Sequence, residues 1–329
     1  MATPVQMHVQ TAHFELRAPF VITGHTFTEI TPVWVSLESD GHTGRGEAIG
    51  VYYTGETTES MLAQLQTVRE AVESGATRDD IQTLLPAGGA RNALDCAYWD
   101  LECKQSGQSI WSLLGRDPHE LVTVATIGIV APEAMAARAT DYASFDHLKV
   151  KLDADRPIER LRAIRDARPD ASLVIDVNQG WTAGDLAAYL PDLADIGVAM
   201  VEQPVARGAD STLEGIDSPI PLGVDESCLD LSEYRQVGRY YDVINIKLDK
   251  CGGLTEALAI AEAATADGKS VMVGNMTGTS LSMAPSYVVG QWCEFVDIDG
   301  PVLLAADVDN GLEYRAGGRV SLPTPELWG

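Results

Sequence analysis

Five apolar runs in this chain each end in a charged residue, and they follow one another at intervals of about two dozen residues. The charged residues are Lys151, Asp176, Glu202, Asp225 and Lys247. An interval of this length accommodates one strand, one helix and two short loops. If the runs are successive parallel strands of a closed barrel, the charges meet at its C-terminal rim, where such barrels carry their chemistry. The pattern therefore predicts an α/β protein with one charged site.

Strand and helix patterns alternate from residue 122 onward and predict eight strands, with 122–127 as the first and 295–299 as the last. We therefore expect a (β/α)7β TIM-like barrel over residues 121–310. Before it, alternating segments are followed by helical patterns over 59–73 and 90–104, which predicts an α+β capping domain over residues 1–120. Residues 311–329 are expected to return to that first domain.

The charge of the chain limits its partners. Among its 329 residues are 48 acidic and 23 basic ones, a formal net charge of −25, which argues against nucleic acid or an anionic membrane surface. The five cysteines are scattered and never spaced as Cys-x-x-Cys, which disfavours a disulfide framework and a zinc site. No stretch approaches the roughly 18 apolar residues of a membrane span, and the first residues lack the apolar core of a signal peptide. We expect a cytoplasmic homo-oligomer that acts on a small molecule.

Three of the five charges, Asp176, Glu202 and Asp225, are carboxylates suited to a hard cation. Three such ligands leave about half of an octahedral magnesium shell for water and substrate. All six histidines precede this set, so the barrel offers none for a zinc triad or a Ser-His-Asp arrangement. The acid and the base are therefore expected among lysines and carboxylates.

Lys151 and Lys247 stand on the second and sixth predicted strands, on two sides of the barrel mouth. A cation bound to a substrate carboxylate stabilises the charge that forms when the adjacent carbon loses its proton. A nearby cation and partial burial should lower a lysine pKa from its free value of about 10.4 and supply a neutral amine. One lysine can then remove the proton and the other can return it on the opposite face. This arrangement predicts inversion of a stereocentre.

The chain resembles the enolase superfamily, and within it the muconate-lactonising subgroup, over essentially its whole length. The residues that carry the resemblance are Pro19-Phe20, the segment LPAGGARNALD at 85–95, Lys149-Val150-Lys151, Val201-Glu202-Gln203-Pro204, Asp225-Glu226-Ser227 and the segment NIKLDK at 245–250. The resemblance implies an isomerase that binds one Mg²⁺ per subunit and works through an enediolate. It also implies that the two lysines are catalytic and that the three carboxylates hold the metal. Lys247 and the absence of histidine from the later strands exclude the mandelate-racemase branch.

Substrate recognition follows from a second motif. Asp297-Ile298-Asp299 resembles the Asp-x-Asp motif of dipeptide epimerases, in which the acids hold the free α-ammonium group of the substrate. By the same resemblance, Lys149 neutralises the metal-bound carboxylate and Thr126 lines the pocket. The expected activity is inversion of the α-carbon of the C-terminal residue of a dipeptide.

Two loops of the first domain, residues 19–28 and 49–58, are expected to close the barrel mouth. Epimerases of this group that act on Ala-Glu commonly place an arginine in the first loop, whereas this chain has none between Arg17 and Arg45. His25 and Phe27 occupy that loop instead. The sequence therefore leaves room for a neutral or apolar side chain, or for His25 as a weaker partner of an anion.

Other activities remain open at this stage. Racemisation of an N-acyl amino acid such as N-acetylglutamate, or o-succinylbenzoate synthesis, would use the same metal and lysines without a free ammonium group. The contacts of Asp297 and Asp299 separate these reactions from dipeptide epimerisation. A magnesium-binding protein that has lost catalysis is the non-enzymatic alternative, and the presence of both Lys151 and Lys247 argues against it.

Overall fold

A computed structural model describes residues 5–329, which begin with a sheet of three antiparallel strands in the order β1, β4, β5 and a separate β2–β3 hairpin. The strands are β1 (Gln6–Thr11), β2 (Phe14–Ile22), β3 (His25–Ile30), β4 (Val33–Ser39) and β5 (His42–Ala48). A single 3-10 turn (Tyr52–Thr54) precedes the helices α1 (Thr58–Glu73), α2 (Arg78–Leu84), α3 (Gly89–Ser106) and α4 (Ile110–Leu114). The order of strands followed by helices is the one that the sequence predicted for this region.

Close contact between α3 and β5 holds this part together. Buried and more exposed residues alternate along β4, as expected for a strand with one face on a core. On β5, a Cβ atom at Gly44 would lie 2.2 Å from Ala97 O, and one at Gly46 would lie 2.0 Å from Ala93 O. Only glycine therefore allows the helix to pack directly on the strand.

The rest of the chain forms a parallel sheet of eight strands that curls into a barrel with helices outside it. After a short strand β6 (Leu121–Val122), its strands are β7 (Ala125–Ile127), β8 (His147–Lys151), β9 (Ser172–Asp176), β10 (Val198–Glu202), β11 (Leu222–Val224), β12 (Val243–Ile246), β13 (Ser270–Val273) and β14 (Phe295–Val296). The helices are α5 (Pro132–Asp141), α6 (Pro157–Ala167), α7 (Ala183–Ile196), α8 (Leu231–Val237), α9 (Leu248–Cys251), α10 (Leu254–Ala266), α11 (Ser280–Gly290) and α12 (Gly300–Leu303). Val124 N donates to Val296 O at 3.0 Å, so the first and last strands meet. The predicted fold class is confirmed.

The structure differs from the sequence expectation in three places. The first predicted strand is divided into β6 and β7, and the last one ends at Val296 rather than at residue 299. The crossover from β10 to β11 contains a 3-10 turn (Asp210–Leu213) and no α-helix. Gly208 and Gly215 inside this crossover both have a positive φ, which interrupts a continuous helix.

Alternation of side chains along the strands separates two apolar layers. The barrel interior is filled by a small cluster of Val174, Met200, Val243 and Met272. Leu173 and Ile175, the neighbours of Val174, belong instead to the large core between the strands and the outer helices. The charged residues occupy the interior face above the small cluster, so they are enclosed by the barrel wall.

The last residues contact both parts of the molecule. Strands β15 (Tyr314–Arg315) and β16 (Arg319–Val320) form a small sheet with β6. Further on, Trp328 Nε1 donates to Cys96 O at 3.0 Å and Gly329 N donates to Asp100 Oδ1 at 2.8 Å, both on α3. Within residues 5–329, none of the helices combines the length and the apolar character needed to cross a bilayer.

Candidate active site

Strand register brings three of the predicted charges into one row. Lys151 on β8 lies opposite Asp176 on β9, and Asp176 lies opposite Glu202 on β10. Asp225 and Lys247 directly follow β11 and β12, so they extend the row around the rim. All five side chains are buried.

The three carboxylates are close enough to share one cation. One oxygen from each of Asp176, Glu202 and Asp225 lies within 4.8 Å of the others, and the three residues have no exposed surface. Asn245 Nδ2 donates to Glu202 Oε1 at 2.7 Å and orients that carboxylate. Buried oxygen ligands of this kind suit Mg²⁺, so the acidic triad is able to bind the predicted metal ion.

Lysines surround the triad and compensate its charge. Lys151 Nζ lies 2.6 Å from Asp176 Oδ2, and Lys247 Nζ lies 2.6 Å from Asp225 Oδ2. Lys149 Nζ lies 2.7 Å from Glu202 Oε2 and 3.2 Å from Asp176 Oδ2. The Lys149–Glu202 contact is an ion pair without hydrogen-bond geometry, so Glu202 Oε2 remains a buried oxygen without a directional donor. That oxygen is suited to bind a cation.

The acids and lysines shift one another's pKa values. Although burial acts against ionisation, Lys151 and Lys149 lower the pKa of Asp176 to about 2. The pKa of Glu202 is raised to about 8 by burial and by the charge of Asp176. Burial also acts to lower the pKa of Lys247, but Asp225 and the other acids outweigh it and raise that pKa. The acids by themselves thus favour the protonated form of Lys247, and the lowered lysine pKa expected beside a bound cation stays a prediction.

One essential contact of this site was missed by the sequence reasoning. Lys250 Nζ donates to Asp225 Oδ1 at 2.7 Å, to Asp225 O at 2.8 Å and to Asn245 O at 2.9 Å. The lysine lies on α9, one helical turn after Lys247, and is buried. The signal in the sequence that could have identified Lys250 was its position at the end of the segment NIKLDK. Lys250 fixes both the carboxylate and the backbone of Asp225.

A second missed residue, Gln203, organises the end of β11. Its Oε1 accepts hydrogen bonds from Asp225 N at 2.9 Å and from Ser227 N at 3.1 Å. Its Nε2 donates to Val205 O at 2.8 Å. Gln203 has a φ of 38°, an uncommon value for a residue other than glycine, which these bonds maintain.

The two acids of the Asp-x-Asp motif are buried beside the lysine cluster. Asp297 Oδ2 lies 2.8 Å from Lys149 Nζ, and Asp297 Oδ1 accepts a hydrogen bond from Asn275 Nδ2 at 3.0 Å. Asp299 Oδ2 accepts a hydrogen bond from the backbone N–H of Thr126 at 2.7 Å. Burial and the charge of Asp297 raise the pKa of Asp299 to about 7. Thr126 therefore contacts the motif through its backbone.

The first domain reaches the barrel mouth through the β2–β3 hairpin. Thr23 Oγ1 lies 3.0 Å from Leu152 O and 3.2 Å from Val177 O, the residues that follow Lys151 and Asp176. The hairpin is therefore anchored directly on the ends of β8 and β9.

Aromatic rings line the hairpin side of the mouth. The ring of His25 lies 4.2 Å from that of Phe27 and 5.1 Å from that of Tyr52, measured between centroids. Burial raises the pKa of the Tyr52 hydroxyl, which also lies in the field of Lys247 and Glu226. The aromatic cluster of His25, Phe27 and Tyr52 thus extends from the first domain to the charged site.

Comparison with known proteins agrees with this arrangement. The N-terminal domain of mandelate racemase / muconate lactonizing enzyme matches residues 5–115, and the enolase C-terminal domain-like family matches residues 132–325. The chain is 43% identical to L-Ala-D/L-Glu epimerase of Escherichia coli K12 over 305 residues, which cover 92% of this chain and 95% of that protein.

Two solved structures extend the comparison. An enolase family member from Agrobacterium tumefaciens with homology to dipeptide epimerases, bound to sodium and L-Ala-L-Glu, has a TM-score of 0.96 at 39% identity over 99% of this chain and 100% of that one. A dipeptide epimerase from Enterococcus faecalis, complexed with Mg and L-Leu-L-Tyr, has a TM-score of 0.91 at 29% identity over 98% of this chain and 97% of that one. The similar proteins thus include ones complexed with an acidic and with an apolar dipeptide.

Proposed function

Since this chain belongs to the mandelate racemase / muconate lactonizing enzyme family, we propose that it is a dipeptide epimerase that inverts the α-carbon of the C-terminal residue. The observation that carries the proposal is the pairing of two buried lysines, Lys151 and Lys247, with two different members of one acidic triad. Two amines on separate strands can act on opposite faces of one carbon, which inversion requires.

The triad of Asp176, Glu202 and Asp225 would hold the metal ion. Bound Mg²⁺ supplies positive charge that neutralises these acids and stabilises the negative charge of a substrate carboxylate during loss of the α-proton. Lys151 and Lys247 act as the proton-transfer pair, one as base and the other as acid. Lys149, which is paired with three carboxylates, keeps the excess negative charge beneath the substrate low.

The free ammonium group of the dipeptide is assigned to Asp297 and Asp299, with Thr126 as a neighbour that orients Asp299. A cation between two carboxylates gains charge-assisted hydrogen bonds, which are stronger than neutral ones. An N-acylated substrate has no such cation and would leave Asp299 without a charged partner. The buried acids therefore favour a dipeptide over an N-acyl amino acid.

The side chain of the epimerised residue is assigned to the aromatic cluster of His25, Phe27 and Tyr52. Aromatic rings offer apolar contact area and no guanidinium group for a carboxylate. We therefore propose that neutral and apolar side chains are accepted at least as well as glutamate. This preference concerns specificity and leaves the reaction itself unchanged.

The domain limits, the compartment and the assembly are also part of the proposal. A capping domain over 1–120, a barrel over 121–310 and a returning segment over 311–329 are consistent with the contacts of α3 with the last residues. A cytoplasmic location is supported by the free cysteines at positions 96, 103, 228, 251 and 293. The homo-oligomeric state is retained as a prediction from the sequence.

Deuterium exchange tests the function directly. The purified protein is incubated with Mg²⁺ in heavy water with L-Ala-L-Leu, L-Ala-L-Glu and their N-acetylated forms, and mass spectrometry and chiral chromatography follow the α-carbon. We expect exchange and inversion with the free dipeptides, and loss of inversion on chelation or in Lys247→Ala. Lys269→Ala, a change at a lysine that binds Tyr241 O far from the triad, is the matched control. Exchange of N-acetyl substrates alone, or full activity of Lys247→Ala, would refute the assignment.

A further inference from the structure

The regular ladder of the last barrel strand stops before the Asp-x-Asp motif. Strand β14 contains only Phe295–Val296, and Asp297 N makes the last bond to the neighbouring strand, to Val273 O at 2.9 Å. Asp299 has φ −88° and ψ 9°, which is not a strand conformation. The segment Asp297–Ile298–Asp299, called the acidic segment below, therefore needs other contacts to fix its shape.

Side chains from separate elements take over the role of the missing ladder. Thr123 Oγ1 accepts a hydrogen bond from Ile298 N at 3.0 Å, and Tyr314 OH donates to Ile298 O at 2.6 Å. Asn275 Nδ2 donates to Asp297 O at 2.9 Å. Ile298 is completely buried and lies between the two acids, so bonds to its N–H and C=O determine how far apart those acids are held.

The two groups that hold Ile298 are joined by the small outer sheet. In that sheet Tyr314 pairs with Val320, and Val320 pairs with Leu121 on β6. Thr123, one residue beyond β6, donates its N–H to Gly318 O at 2.8 Å. The C-terminal strands and the residue that precedes the barrel therefore contact the acidic segment as one unit.

The Tyr314 hydroxyl keeps its proton and can therefore act as a hydrogen-bond donor. Burial, together with the charges of Asp299, Asp307 and Asp297, raises the pKa of Tyr314 well above its ordinary value. The phenol consequently stays protonated at any pH the enzyme experiences. A neutral donor can bind the carbonyl of Ile298 without repelling the neighbouring carboxylates.

We propose that Tyr314 is a positioning residue for the ammonium subsite, so that the C-terminal segment sets the geometry of Asp297 and Asp299. The inference rests on the proposed dipeptide epimerase function and deepens it. Tyr314 does not touch the substrate in this scheme and acts through the backbone of Ile298. Its loss should therefore weaken recognition of the free amine and leave proton transfer at Lys151 and Lys247 largely intact.

The test compares Tyr314→Phe with Tyr98→Phe. Like Tyr314, Tyr98 is a half-buried tyrosine that donates to a backbone carbonyl, Ala76 O at 2.7 Å, but it makes no hydrogen bond to the acidic segment or to the small outer sheet. For Tyr314→Phe we expect KM for L-Ala-L-Leu to rise about tenfold, the effect of one unsatisfied buried carbonyl, with kcat changed less than about threefold. The ratio of activity on L-Ala-L-Leu to that on N-acetyl-L-Ala-L-Leu should fall by a similar factor. Tyr98→Phe should leave that ratio unchanged.

A second set of variants addresses the other side of the same peptide. Thr123→Val removes the acceptor for Ile298 N and should reproduce the selective rise in KM, whereas Thr123→Ser should retain the wild-type ratio. Equal losses on both substrates, a loss confined to kcat, or the same selective effect in Tyr98→Phe would overturn the role of Tyr314. Absence of dipeptide activity in the wild-type enzyme would overturn the proposed function itself, so the two failures are distinguishable.

Discussion

Asp249 connects the capping domain to the barrel near the reacting lysines, and its ionisation should be visible in the stability of the fold. Its Oδ1 accepts hydrogen bonds from Ile49 N and Gly50 N, both at 2.9 Å, at the start of the second mouth loop. Asp249 lies two residues after Lys247 and is buried. Burial raises its pKa from 3.8 to about 6 despite those two bonds.

The sign of the effect follows from the raised pKa. The folded protein holds a proton on Asp249 more tightly than the unfolded chain does, so the contribution of Asp249 to the free energy of unfolding is greatest at low pH and is lost as pH rises through about 6. A shift of about two units corresponds to about 3 kcal/mol between the two limits. Asp249→Asn keeps the Oδ1 acceptor and removes the charge.

The stability advantage of Asp249→Asn over wild type should therefore increase by about 2 to 3 kcal/mol between pH 4 and pH 7. Denaturant unfolding followed by circular dichroism at several pH values measures it. Asp249→Ala is the matched variant: it removes charge and acceptor together, and it should be about 2 kcal/mol or more less stable than Asp249→Asn at pH 7 because two buried N–H groups lose their partner. If the free energies of unfolding of wild type and Asp249→Asn changed in parallel with pH, the reasoning would be refuted.

Three further outcomes follow from the site. Lys250→Met removes a buried partner of Asp225. We therefore expect Mg²⁺ binding measured by calorimetry to weaken by about ten- to a hundredfold, and the free energy of unfolding to fall by about 3 to 5 kcal/mol. An unchanged affinity for Mg²⁺ would contradict this role of Lys250. Phe27→Arg adds a charged donor and should raise the kcat/KM for L-Ala-L-Glu relative to that for L-Ala-L-Leu about tenfold or more, whereas Phe27→Leu should not. The same kcat/KM ratio in both variants would argue against the aromatic subsite. Because the pKa of Asp299 is raised to about 7, KM for dipeptides should fall as pH increases from 6 to 8, and a profile unaltered in Asp299→Asn would exclude that group as the cause.

The local pattern of apolar and charged residues was sufficient to predict the architecture and the residue types of the candidate active site. Lys151, Asp176 and Glu202 could be placed together because parallel strands of one register bring their ends to one rim. The same logic identified the helices α1 and α3 to within about two residues. It was less successful where a strand ends or breaks, as at Val296, because hydrophobic pattern does not encode whether a ladder partner is present.

The sequence by itself determined which charges enter the barrel, since the alternation of side chains and the interval between strands depend only on neighbouring residues. Tertiary structure alone decided how those charges are compensated. Lys250 reaches Asp225 only because α9 turns back on β11, and Tyr314 reaches Ile298 only because the C-terminal segment pairs with β6. Contacts between residues distant in the chain depend on how the elements pack, and the five strand-end charges contain no information about that packing.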